Sequence, residues 1–325
     1  MKIRASILAI SCLSVFTYGS YVAADSLDIK SHPVHLHPDK PSVDRVGELL
    51  YRGGLRLTSV DRRFGGLSGL TFVPPNRLIA VSDRGWWITF TTIEKDGRLV
   101  GVGNAMIDPL RDPSGKALWS QGEGDAEAVE MTSDGALLVA FERRHRLWKY
   151  PAPPAHPKAA AMQLAMKGAW STLPINSGFE AIAALADGRL LLVAEHLSSG
   201  TMEHPGWLSS GGNQHTLSYS GNGYFAPTDF APLDGGDVLA LERRFTTIGG
   251  FASRLRVIRG STIRPGARLV GREIARLERP LLIENFEGLA VRGRTEGRTL
   301  IYLVSDNNYN FLQRTLLLAF EISAS

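Results

Sequence analysis

Acidic residues recur in this chain at matched places, each followed by a base or an amide. Asp83-Arg84, Glu142-Arg143, Glu195-His196, Glu242-Arg243 and Asp306-Asn307 each end an apolar run. Glu127, Glu180, Asp229 and Glu287 each open a shorter run just before it, and Ser68 stands in that place ahead of Asp83. Carboxylates gathered at one spot can hold a hard divalent cation, move protons as general acid and base, or pair with arginine. For the cation, Glu127, Glu180, Asp229, Glu287 and Asp306 are the expected oxygen ligands, and calcium is the expected ion. Arg84, Arg143, Arg243 and Asn307 would then bind the anionic group of a substrate. Among the places where the basic series breaks, only His196 titrates near neutral pH. His196, Glu180 and Glu195 are therefore the expected catalytic groups. The bland alternative is that each acid pairs with a neighbouring base or with backbone amides, with His196 as a hydrogen-bonded spacer.

Positioning such a set requires a repeat. Five segments share one pattern: a short apolar strand, a tight turn, and a second strand apolar almost throughout. They run from Phe64 to Arg84, Gly124 to Arg143, Gly178 to His196, Pro227 to Arg243 and Asn285 to Asn307. Pro74-Pro75-Asn76, Ser133-Asp134-Gly135, Ala186-Asp187-Gly188 and Asp234-Gly235-Gly236 supply hairpin turns. A second strand without polar alternation is buried on both faces, so sheets must stack on each side of it. Further strand-like segments follow each pair, among them Trp87-Ile-Thr-Phe-Thr-Thr-Ile and Arg254-Leu-Arg-Val-Ile. Radial repetition of sheets of about four strands is the β-propeller arrangement. The expected fold is thus an all-β propeller of five blades. A sixth stays open, because the region from Phe251 to Pro280 or the stretch after Leu197 could hold a degenerate blade. Pairing Glu48–Leu57 with the last strand around Phe320-Glu321-Ile322 would close the ring. Antiparallel neighbours bring the start of each first strand and the end of each second strand to one face, which converges nine carboxylates on one axial mouth.

Composition limits what this mouth can serve. Lys2 and Arg4 precede the apolar run Ile7–Phe16, and Val22-Ala23-Ala24 offers a cleavage site. Residues 1–24 therefore read as a Sec-type signal peptide, and the expected location is the periplasm or the exterior. The run is too short to span a membrane. Cys12 is the single cysteine and lies within the signal, so a mature chain cut after Ala24 has no disulfide or thiol chemistry. That chain carries 34 basic against 32 acidic residues, spread along its length, which is no nucleic-acid footprint. A monomer acting on a small molecule is expected. Residues 25–46, with His32, His35 and His37, read as an extended polar leader rather than a metal arm, and residues 47–323 as one domain. The polar stretch Leu197–His215 reads as a lid or a surface excursion that brings Glu203, His204 and His215 toward the mouth. Trp86, Trp87, Tyr309 and Phe311 place aromatic surface beside the ring.

Gly66-Leu-Ser-Gly-Leu, Ala80-Val-Ser-Asp-Arg-Gly85, Glu127-Ala-Val-Glu, Phe179-Glu-Ala-Ile, Glu242-Arg-Arg-Phe245 and Asn285-Phe-Glu-Gly-Leu-Ala290 together resemble the phytase-like family named for an "esterase-like activity of phytase". The resemblance spans about residues 45 to 323. It implies an exported propeller that hydrolyses ester or phosphoester bonds. Alkaline β-propeller phytases carry Asp-Ala-x-Asp-Asp-Pro-Ala and Asn-Asn-Val-Asp runs for calcium and phosphate. Asp125-Ala-Glu-Ala-Val and Asn307-Asn-Tyr-Asn310 match them only in part. No Gly-x-Ser-x-Gly elbow is present, and Ser68 opens a strand, so the expected mechanism is a metal-activated water rather than a serine nucleophile. A non-catalytic propeller that binds a ligand or protein, and a lactonase-like hydrolase, are the alternatives.

Overall fold

A computed structural model describes residues 24–151, 160–164, 173–195, 197–198, 200–221, 224–295 and 297–322. The signal-like segment up to residue 23 lies outside them, as does His196. The chain forms five antiparallel sheets arranged as a propeller. Only the short 3-10 turns Leu118–Gln121 and Gly260–Thr262 interrupt the strands and loops described here.

The innermost strands are Leu67–Val73, Ala126–Met131, Phe179–Ala184, Ala226–Pro232 and Asn285–Thr295. Their hairpin partners are Arg77–Ser82, Leu137–Phe141, Leu190–Ala194, Val238–Thr246 and Arg298–Asp306. The apolar second strands acquire a direct explanation from the core. Leu78 and Ala80 pack in the wedge against blade five, while the alternate residues Ile79 and Val81 pack in the wedge against blade two. Leu137 and Val139 likewise face blade one, and Leu138 and Ala140 face blade three. Alternation in a strand puts neighbours on opposite faces, and here both faces are interblade core. The protein therefore has five apolar wedges, one between each pair of neighbouring blades.

Hairpin turns on the face away from the acids repeat one geometry. Gly135, Gly188 and Gly236 each donate to the residue three positions back, at Thr132, Leu185 and Leu233. All three glycines have positive φ, at 80°, 84° and 92°, a region that costs other residues strain.

Ring closure joins the two ends of the domain, as the sequence predicts. Leu49–Thr58 pairs antiparallel with Thr315–Ile322, from Leu57 opposite Thr315 to Leu49 opposite Ile322, and Arg52 bridges to Glu321 at 2.7 Å. The leader is more integrated than an extended surface arm. Lys30–Val34 adds a further strand to blade five, and Asp25–Ser26 adds one to blade one. Both regions reserved for a sixth blade belong to existing sheets. Gly250–Ile258 and Arg272–Leu277 complete blade four, and Arg268–Leu269 pairs in parallel with the outer strand of blade three. The stretch after Leu197 forms the hairpin Glu203–Ser210 and Asn213–Ser220. It is sheet, not a lid. His204 is buried and its Nδ1 bonds the Glu195 carbonyl at 2.8 Å, whereas His215 is exposed near the far end of that hairpin.

Candidate active site

Every innermost strand carries a β-bulge near its start. The extra residue is Ser68, Glu127, Glu180, Thr228 and Glu287 in blades one to five. A bulge sets two residues against one and re-aims the side chain there. On the partner strands the register then makes Asp83, Glu142, Glu195, Arg243 and Asp306 equivalent. Each lies one residue beyond Ser82, Phe141, Ala194, Glu242 and Ser305, which pair opposite the residue before the bulge.

Blade four is thereby out of frame with the sequence expectation. Asp229 and Glu242 each sit one residue off the ring positions, which Thr228 and Arg243 occupy instead. A one-residue slip reverses the side of the sheet a side chain faces, and both acids turn to structural duty. Asp229 is fully buried and accepts from Phe230 N at 2.8 Å and Leu289 N at 2.7 Å, tying blade four to blade five. It is not placed as a metal ligand. Glu242, with 0 % exposure, accepts from Tyr219 Oη at 2.5 Å, Arg256 Nη1 at 3.1 Å and Arg254 Nε. That cluster fills the space between blades three and four.

The mouth therefore gathers Asp83, Glu127, Glu142, Glu180, Glu195, Glu287 and Asp306 around Arg243. Asp125 joins them, a residue absent from the expected set. The Asp125-Ala126-Glu127 spacing held the signal, since residues two apart on an extended chain share a side. Arg243 serves one half of the ring: Nη1 donates to Glu287 Oε1 at 2.8 Å and Asn285 Oδ1 at 2.7 Å, and Nη2 to Glu195 Oε1 at 3.2 Å. In the other half Arg146 is buried near Asp125, but it donates to the Arg144 and Glu123 carbonyls and forms no ion pair with a carboxylate among the described residues. There Asp125, Glu127 and Glu142 each bring a carboxylate oxygen within 4.8 Å of the others. Arg143 reaches only Asp125, at 2.5 Å, from a side chain 66 % exposed. Glu142 accepts from Gly178 N at 3.2 Å. Glu127 and Glu180 accept no hydrogen bond among the described residues, although Glu180 is only 8 % exposed.

This crowding raises the carboxyl pKa values. Burial pushes Glu127 and Glu180 well above the usual range, and neighbouring acids, chiefly Glu180 for the first and Glu195 for the second, add to it. Burial also lifts Glu287 to about 8, against the opposing pull of Arg243, and Asp83 to about 7, with Asp306 and Asp125 contributing. Like charges in a low-dielectric site favour protonation or a bound cation.

The other expected residues are placed as follows. Arg84 stacks on Tyr309, its guanidinium carbon 3.4 Å from the ring centroid. Asn307 Oδ1 accepts from Gly66 N at 3.0 Å and Tyr309 N at 3.1 Å, so it fastens blade five to the start of blade one. Ser68 is buried, with Oγ 3.4 Å from the Gly66 carbonyl. Beside the acidic half, Trp86 and Trp119 stack at 5.7 Å over a cavity of about 470 Å³.

The family model "Phytase-like: Esterase-like activity of phytase" matches residues 62–309, which include every ring position. The chain belongs to this phytase-like family. Among solved structures it is similar to an α-L-arabinofuranosidase from Podospora anserina in complex with cellotriose, at TM-score 0.50 and 11 % identity over 91 % of this chain and 97 % of that one. An α-L-arabinofuranosidase catalytic domain from Coprinopsis cinerea gives 0.48 and 13 % over 92 % and 98 %. A protein of unknown function from Dyadobacter fermentans gives 0.41 and 12 % over 92 % and 97 %. At these identities the likeness concerns the fold. A search of curated proteins finds no match.

Proposed function

We propose that this phytase-like propeller is an exported, calcium-dependent hydrolase of ester or phosphoester bonds acting at the axial mouth. The observation that carries the reading is the asymmetry of the ring. Arg243 pairs with carboxylates of blades three and five, whereas the knot of three carboxylates on blade two has, among the described residues, an ion pair only from the exposed Arg143. The donor set is all carboxylate oxygen, which fits a hard cation. Asp125, Glu127 and Glu142 would hold it.

Such an ion supplies a Lewis acid and a water of lowered pKa. The chain's own residues do the rest. Arg143, free on its outer side, meets the anionic group of the substrate. Glu180, whose carboxyl burial raises well above the usual range, serves as the acid toward the leaving oxygen, and Glu195 accepts from Arg243. His196 follows Glu195 directly and remains the proposed second proton carrier. Family membership supports ester chemistry of this kind.

A binding propeller is the second reading, favoured by the apolar tips on the same face: Tyr224, Ile248, Phe311 and Leu312 are 74 % exposed or more. One experiment separates the two. Release of phosphate or p-nitrophenol is followed across a panel of model esters, with calcium and with chelator. The hydrolase reading predicts cation-dependent turnover that Glu127→Gln or Glu180→Gln lowers by about 100-fold, the scale for losing a proton donor or an electrostatic group. No turnover across the panel would overturn it in favour of binding.

A further inference from the structure

We infer that the mouth carries a ring-stacking subsite on Trp119, flanked by Arg84 and Arg143, that takes a planar aromatic ring joined to a phosphate. This deepens the hydrolase reading, on which it rests, by naming the substrate class as an aryl phosphoester.

Local backbone geometry builds the platform. Trp119 rides the 3-10 turn Leu118–Gln121, whose Leu118 is buried and donates its N–H to Leu110 O at 2.8 Å. Trp86 opens the third strand of blade one. The two are brought together by direct backbone contact between Gly85 and Gly124: a Cβ added at Gly124 would lie 2.6 Å from the Gly85 Cα. The indoles then stack with an interplanar angle of 14°. Arg63 covers Trp86 at 5.3 Å, so Trp86 is nearly buried while Trp119, the outer layer, stays 54 % exposed.

A fixed indole left open to water is a surface for another ring, because stacking adds to the area buried. Its surroundings define the rest of the ligand. Asp83, Arg84, Asp125 and Arg143 line the same cavity, so an anion joined to a ring on Trp119 meets two guanidinium groups and, through Asp125, the proposed cation. A flat aryl group matches the platform. Arg84 stacks on Tyr309, Arg143 pairs with Asp125 through Nε, and both line the cavity.

Calorimetry with the full chain in calcium tests this, using phenyl phosphate, glucose 1-phosphate and inorganic phosphate as probes. Phenyl phosphate should bind about tenfold tighter than inorganic phosphate, the scale of one stacking contact. Trp119→Ala should abolish that advantage, and Trp119→Phe should restore part of it. Equal affinity for all three probes, or a Trp119→Ala variant that keeps the preference, would overturn the subsite. Glucose 1-phosphate binding as tightly as phenyl phosphate would also overturn it, in favour of a sugar platform. Phenyl phosphate bound without release of phosphate would keep the subsite and overturn the hydrolase. Turnover of alkyl and aryl esters alike, indifferent to Trp119, would do the reverse.

Discussion

The acids of the repeat divide into those that hold the blades together and those left free to act at the mouth. Glu242 belongs to the first group: two arginines and a tyrosine converge on it in the dark between blades three and four. Removing one partner of a buried ionic cluster strands the others, at about 3–5 kcal/mol. Glu242→Ala should therefore lower the unfolding free energy by that amount in urea while the affinity for calcium is unchanged. A variant as stable as the parent would show that Arg254 and Arg256 find other partners. Asp229→Asn tests the neighbouring duty, since an amide can keep only one of the two accepted backbone bonds. The expected loss is about 1–3 kcal/mol, read in the same denaturation. Glu127→Gln is the contrasting case. It removes repulsion from a group that accepts no hydrogen bond among the described residues, so the calcium-free protein should become more stable and the calcium-loaded one less so.

At the scale of strands, the bulges and the small residues behind them set how closely the blades approach. Gly69 and Gly288 follow the bulges of blades one and five, and a Cβ on Gly69 would lie 2.7 Å from Val129 N. Gly69→Ala must push inner strands apart, with an expected cost of about 1–3 kcal/mol in thermal unfolding. Gly101→Ala, where an added Cβ meets only ordinary contact with Ile93 at 3.7 Å and the backbone is not left-handed, should cost less. The blades themselves were legible in sequence because five repeats carry the same apolar second strand and three of them, in blades two to four, the same turn glycine. Frame within blade four was not. Asp229 and Glu242 look like the acids of the other blades, but a bulge is a matter of one residue, and the shift to Thr228 and Arg243 follows from register. Asp125 was legible through its spacing from Glu127. Trp119 was not, because a loop residue with no periodicity gives no sign that it will meet Trp86.

For the whole molecule, a five-fold stack of sheets places unequal blades around one opening, and the inequality is where function resides. Without a cation the carboxyls carry protons that the unfolded chain would release. Glu287 sits near 8 and Asp83 near 7, both raised by burial above ordinary values of 4.5 and 3.8. For an acid raised in the folded state, the unfolded chain binds fewer protons between the two values, so stability falls as pH rises. The calcium-free protein should therefore lose stability between about pH 5 and pH 8, and calcium should reverse the loss most strongly at the alkaline end. Thermal unfolding across that range with and without calcium reads both. A profile that rises toward pH 8 in chelator would contradict the crowding of these acids.

Calcium titration by calorimetry at pH 8 tests the central claim most directly. Saturable binding of one ion per chain, weakened at least tenfold in Glu127→Gln and in Glu142→Gln and unchanged in the exposed control Asp134→Asn, is the predicted result. Absence of binding, or affinity indifferent to Glu127 and Glu142, would contradict it.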